Sequence, residues 1–184
     1  MDEQTAVQRL KCGDVSGLEF LVNRYQVKAV RTAYLITHNL AMAEDVVQDC
    51  FIQAYRSIGS YDANRSFEPW FLKSVLNAAL KAAKKAERRV FVEPDTDERW
   101  FESLLGLAES AEAAYETAAV QQEIWDAIQK LSPRQRAVIV QRYFLEMSEN
   151  EMAAYTGAAP GTVKWLLNAA RSRLRILLDG WRVK

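Results

Sequence analysis

Leu131-Ser132-Pro133, Ser148-Glu149-Asn150-Glu151 and Gly157-Ala158-Ala159-Pro160-Gly161 punctuate the stretch from Leu131 to Leu178, and their order decides how that stretch folds. Ser132 is placed to cap a helix start, and Pro133 sits at the first helical position, where a missing N–H costs nothing. Val138, Ile139, Tyr143 and Phe144 follow at three-to-four spacing, the rhythm of one apolar helix face. Ser148 and Glu151 read as a capping box, in which the hydroxyl serves the N3 amide and the carboxylate reaches back to the cap. Gly157 supplies the positive φ that stops this short second helix, and Pro160 opens a third. From Gly161 to Leu178 there is no breaker. Val163, Leu166 or Leu167, Ala170, Leu174 and Leu177 share one face, while Lys164, Asn168, Arg171 and Arg175 occupy the other. A basic helix presented behind a helix and a tight turn fits the DNA major groove, with its first turns at base edges and its cations on phosphates. The same pattern also suits an ordinary three-helix core with a solvated basic face.

The remainder of the chain bounds the choice. It has 184 residues, 49% hydrophobic and 26% charged, with few glycines and prolines, which suits two small helical domains. Cys12 and Cys50 are isolated thiols, expected to be buried and free, and His38 is the sole histidine, so no zinc site, other metal site or cofactor is expected. No apolar run reaches membrane-spanning length, and Met1-Asp2-Glu3-Gln4 does not open a signal peptide; the expectation is a cytoplasmic protein without membrane insertion. Net charge is zero, yet the charges are segregated. Between Phe71 and Val90 the cations Lys73, Lys81, Lys84, Lys85, Arg88 and Arg89 face one acid, Glu87; between Phe91 and Asp126 the acids face Arg99 alone; after Ala127 cations return. Two basic lobes flank an acidic connector.

The first lobe reads as helices near 5–11, 16–37, 40–58 and from Phe67 into the basic run, with Gly59 to Arg65 as a loop. Val47, Cys50, Phe51, Ala54, Tyr55 and Ile58 are expected to face inward from the third helix. Glu44, Asp45, Gln48 and Asp49 cluster on its other face, where carboxylates suit the positive end of the helix dipole. Val92 to Asp97 is polar, charged and broken by Pro94, and marks the domain boundary.

Ala43 to Phe51, then Phe67-Glu68-Pro69-Trp70-Phe71 and Asn77, resemble the second conserved region of bacterial sigma factors. Leu131 to Arg136, Ser148 to Ala153 and Gly161-Thr162-Val163-Lys164 resemble the fourth. The absence of other sigma regions is similar to the compact extracytoplasmic-function type. The resemblance implies an all-α chain of two helical domains: region two at 1–90, an acidic linker at 91–115 and region four at 116–184. It further implies a non-enzymatic promoter-specificity subunit whose partners are core RNA polymerase and promoter DNA, with an anti-sigma factor as a further partner. Asp45, Gln48 and Asp49, with Phe51 and Tyr55, match the family's polymerase-docking surface. Tyr61, Asn64, Arg65 and Asn77, with Phe67 and Trp70 behind them and Lys81, Lys84 and Lys85 along the strand, match the site for the melted minus-ten element. Phe71 and Trp70 are expected in the core. Arg142 matches a phosphate contact, and Thr162, Lys164, Trp165, Asn168 and Arg171 match the minus-thirty-five groove surface.

The sequence departs from the family pattern where Lys81 replaces a usual aspartate and where Trp165-Leu166 and Ala169 replace a Ser-Arg pair and a second arginine. Each lost phosphate contact lowers affinity and its salt slope. Two rivals share these residues: a sigma-like protein that mainly binds an anti-sigma factor, and a polymerase-independent helix-turn-helix regulator, which has no use for the face of Asp45, Gln48 and Asp49.

Overall fold

The computed structural model describes residues 1–63, 65–87 and 122–179, and every regular element among them is helical. The chain divides into two compact units, Met1–Val92 and Glu93–Lys184. The acidic connector assigned to 91–115, and Asn64, lie outside the described residues.

In the first unit each helix start has a local cause. Asp2 accepts from the Thr5 amide at 2.7 Å and caps α1 (Glu3–Lys11). Asp14 accepts from the Ser16 amide at 2.9 Å as the chain turns into α2 (Ser16–Thr37). That helix ends where His38 takes a left-handed φ of 54°, and Asn39 then caps α3 (Leu40–Ser57) by accepting from the Met42 amide at 2.7 Å. A short 3-10 turn, Ile58–Ser60, leads through the loop to α4 (Phe67–Glu87).

Helix α2 is the hub, packed on α1, α3 and α4. Its Leu21, Ala29, Ala33 and Ile36 are wholly buried, and α4 contributes Phe67, Phe71 and Val75. The Phe51 and Phe71 rings stack at 4.3 Å, and Phe67 lies 5.5 Å from Phe71. Each fully buried Leu, Ile, Val or Phe side chain contributes roughly 1.5–3 kcal/mol of transfer free energy. At Gly17, α2 approaches α1 so closely that a Cβ would overlap the Ala6 carbonyl.

The helix bounds agree with the sequence reading to within two residues at α1, α2 and α3. Three features differ from it. Tyr55 is 43% exposed instead of facing inward, Cys12 is exposed, and the acids of α3 begin beyond its first turn, where the helix dipole has little effect. Cys50 is buried as expected.

The second unit contains α5 (residues 122–129), α6 (Pro133–Ile139), α7 (Glu149–Thr156) and α8 (Pro160–Asp179). Both capping boxes are formed: Ser132 with Gln135, and Ser148 with Glu151. Gly157, at φ 69°, closes α7. Leu131, Val138, Ile139, Met152, Val163, Leu167 and Ala170 make one core. Between α6 and the turn, Val140–Phe144 form a π-helical segment, and the Leu145 amide reaches back to the Val140 carbonyl at 2.9 Å. The wider turn rotates the following side chains off the apolar face. Tyr143, expected with Val138 and Ile139, is therefore 59% exposed.

Candidate nucleic-acid and protein interfaces

On α3 the helical period sorts the residues cleanly. Val46, Val47, Cys50, Phe51 and Ala54 are buried, and Asp45, Gln48, Asp49, Ile52 and Tyr55 are exposed. The exposed set combines two carboxylates, an amide and two apolar groups on one continuous side. Such a surface gives a protein partner both charge register and contact area. Phe51 does not belong to it: stacked on Phe71 within the core, it supports the surface from beneath.

The loop that follows is anchored by Tyr61. Its ring is buried, 4.8 Å from Trp70 and 6.0 Å from Phe67, and its hydroxyl donates to the Arg65 carbonyl at 2.6 Å. Burial, then the charges of Glu3 and Asp62, raises the Tyr61 phenol above its ordinary value, so it remains a donor. Tyr61 thus shapes the loop and presents little surface of its own. Arg65 is exposed, paired with Asp62 at 3.5 Å. Phe71 is core as expected, whereas Trp70 is only half-buried and heads a stripe on α4 that continues through Lys73, Asn77, Lys81 and Lys84 at helical spacing. Lys85 flanks the stripe, exposed. An aromatic platform leading into a run of cations and one amide is the arrangement single-stranded nucleic acid needs for stacking and phosphate neutralisation.

The far side of the same loop is held by a residue from α1. The Glu3 carboxylate accepts from the Phe67 amide at 2.9 Å and from the Ser66 hydroxyl at 3.4 Å, and its second oxygen accepts from the buried Tyr25 hydroxyl. Nothing in the sequence marks this contact, because 64 residues separate Glu3 from Phe67.

In the second unit, α8 places Lys164, Asn168 and Arg175 on its exposed side, with Arg171 half-exposed beside them. Thr162 is exposed in the first turn. Arg142 is half-buried and donates to the Met147 carbonyl at 2.8 Å, which holds its guanidinium against the turn before α7. Arg171 donates from Nε to the Tyr143 hydroxyl at 2.9 Å and lies over that ring, 5.8 Å from its centroid. The π-helical segment is what turns Tyr143 out to meet it. At the positions that depart from the family pattern, Leu166 packs on the core, Ala169 is half-buried, and Trp165 is 68% exposed. The candidate residues therefore fall on two surfaces of the first unit and one of the second, and among the described residues no group of three or more His, Cys, Asp or Glu side chains converges as metal ligands would.

Residues 21–89 match the Sigma-70 region 2 family, and residues 121–174 match the Sigma-70 region 4 family. The chain is 28% identical to the ECF RNA polymerase sigma factor SigW of Bacillus subtilis, over 92% of each chain. It is 29% identical to the ECF RNA polymerase sigma-E factor of Escherichia coli K12, over 95% of this chain and 93% of that one. Among solved structures, CnrH in complex with the cytosolic domain of CnrY has the same fold, with a TM-score of 0.65 and 24% identity over 97% of both chains. The sigma factor RpoE of Bartonella quintana, solved with the anti-sigma factor NepR, aligns with a TM-score of 0.61 and 22% identity over 88% of this chain and 97% of that one. With a region 2 helical unit, a region 4 helix-turn-helix unit and relatives matched along nearly their whole length, this chain belongs to the extracytoplasmic-function sigma factors of bacterial RNA polymerase.

Proposed function

We propose a division of labour among the three surfaces. As a sigma factor the chain joins core RNA polymerase and directs promoter-specific initiation; Asp45, Gln48 and Asp49, with Ile52 and Tyr55, form the face that docks on the polymerase. The loop from Tyr61 to Arg65 and the α4 stripe of Trp70, Asn77 and Lys81 capture the melted minus-ten strand. Helix α8 reads the minus-thirty-five box through Thr162, Lys164, Asn168 and Arg171, while Arg142 contacts the phosphate backbone. The protein itself makes and breaks no covalent bond.

The observation that carries this reading is the exposed acidic and apolar side of α3. A free-standing DNA regulator has no use for a patterned acidic face so close to a basic DNA-binding surface, whereas a polymerase subunit needs both. Run-off transcription with core polymerase, followed by mapping of transcript starts, tests it. New starts sharing two upstream boxes are expected with the wild-type protein, and Asp45→Arg should remove them without weakening binding of the helix-turn-helix unit to the upstream box. Unchanged initiation by Asp45→Arg would sink the docking assignment.

One observation favours a protein partner on the second unit. Trp165 and Ile176 are 68% and 66% exposed and lie eleven residues apart, on one side of α8. CnrH is solved in complex with the cytosolic domain of CnrY and RpoE with the anti-sigma factor NepR, and an anti-sigma factor covering this side of α8 would withhold the groove-reading face from DNA. Trp165→Ala should then leave core binding intact and weaken inhibition by an anti-sigma factor.

A further inference from the structure

We propose that Glu3 is a positioning residue for minus-ten capture: from α1 it clamps the junction at which the capture loop becomes α4. The inference rests on the assignment of that loop to the minus-ten strand.

The junction needs an outside acceptor. The first amides of a helix have no intrahelical partner, and a residue just ahead of the helix usually serves one of them. Ser66 stands in that place, but its hydroxyl donates to Glu3 at 3.4 Å, and the Phe67 amide donates to the same oxygen at 2.9 Å. Glu3 therefore caps α4 from another helix. A carboxylate also suits the positive end of α4. Its other oxygen is engaged by the Tyr25 hydroxyl, and Tyr25 is 4% exposed with its ring 5.8 Å from Phe67. The carboxylate is thus fixed from behind by the core and grips the loop end in front.

The grip bears on recognition because the loop is held at both ends of a short arc. Tyr61 ties the near end to the Arg65 carbonyl and to the Trp70 ring, and Glu3 ties Ser66 and Phe67 at the far end. A site that captures an extruded base works only if its walls are in place before the base arrives, so a loosened junction lowers capture and selectivity together. Helix α1 lies ahead of residues 21–89, which match the region 2 family, so this support is added from outside the matched segment.

The test uses holoenzyme assembled from the full chain and core polymerase. Its probe is a fluorescent single strand carrying the non-template minus-ten sequence of a promoter mapped as above, with a base-substituted strand as competitor. Glu3→Ala should weaken capture about fivefold, the factor that loss of one cap carries into an equilibrium constant, and should narrow the preference for the native strand. Affinity for core polymerase should stay unchanged. Glu3→Gln, which keeps an acceptor for the Phe67 amide, should retain capture within about twofold of wild type. Unchanged capture by Glu3→Ala, or capture and core affinity falling by one common factor, would overturn the proposal. Arg65→Ala and Asn77→Ala distinguish the two levels. If both leave capture intact, the loop assignment fails and the Glu3 inference fails with it; if they weaken capture and Glu3→Ala does not, only the Glu3 inference fails.

Discussion

Cys50 and Cys12 show how much one helical position changes a side chain's chemistry. Burial, with the charge of Asp49 adding to it, pushes the Cys50 thiol up to about 11, while Cys12 lies exposed at the C-cap of α1. Native protein at pH 8 should therefore react with a maleimide at Cys12 and not at Cys50, and unfolding should release the second thiol; two equally fast thiols would contradict the packing around Cys50. Tyr25 adds to the same alkaline behaviour, since burial and then its hydrogen bond to Glu3 raise its phenol to about 12. Both groups hold their protons longer in the folded chain than in the unfolded one. Their contribution is complete below about pH 9 and is lost as pH rises through 11 and 12, so the urea midpoint should fall between pH 8 and pH 10.5. Cys50→Ala should flatten the first part of that decline. Sequence alone points to two buried thiols, and only Cys50 is buried. Position on a periodic apolar face identified Cys50, whereas Cys12 sits at a helix end, where periodicity no longer says which way a side chain turns.

At the scale of elements, local punctuation was legible and long-range contact was not. Ser148 with Glu151, Gly157 and Pro160 each act within a few residues of themselves, and all appear in the structure where the sequence put them. The Ser148 hydroxyl and amide hold the Glu151 carboxyl below the usual range. Ser148→Ala should cost about 1 kcal/mol of the second unit's stability, measured by thermal unfolding, because α7 loses the reciprocal cap that sets its start. The π-helical segment was not legible, since Val138, Ile139, Tyr143 and Phe144 fit an unbroken helix equally well; the extra residue in the turn becomes visible only through Tyr143 facing outward. Tyr143→Phe removes the hydroxyl that accepts from Arg171 and leaves the ring beneath the guanidinium. Weaker binding to the minus-thirty-five box, with unchanged unfolding, would be the mark of Arg171 held ready for DNA. The close approach of α1 and α2 at Gly17 was equally hidden, because a glycine near a helix start reads first as a boundary. Gly17→Ala should destabilise the first unit by about 1–3 kcal/mol, since the added methyl overlaps backbone that cannot rotate away.

At the scale of the molecule, a net charge of zero conceals surfaces of opposite purpose. The acidic side of α3 suits a protein partner, and the cationic sides of α4 and α8 suit phosphates, so ionic strength should act on each through its own contacts. Charge segregation and the two motif sets were readable from the chain alone because each lies within one helix or one turn. Period alone placed Val47, Cys50, Phe51 and Ala54 inward, whereas the outward turn of Tyr55 needed the fold. Salt titration separates the surfaces. Promoter binding by the holoenzyme should weaken with rising salt, and Lys164→Ala and Arg175→Ala should each reduce the slope of log affinity against log salt by about one if each cation neutralises one phosphate. With core polymerase saturating, so that assembly is complete, Asp45→Arg should leave that slope unchanged, since the acidic side of α3 is proposed to meet polymerase and not phosphate; in a separate assembly titration it should weaken binding to core polymerase most strongly at low salt, where the reversed charge is least screened. A slope that fell with Asp45→Arg, or stayed constant with both cation substitutions, would mean that these helices had been assigned to the wrong partners.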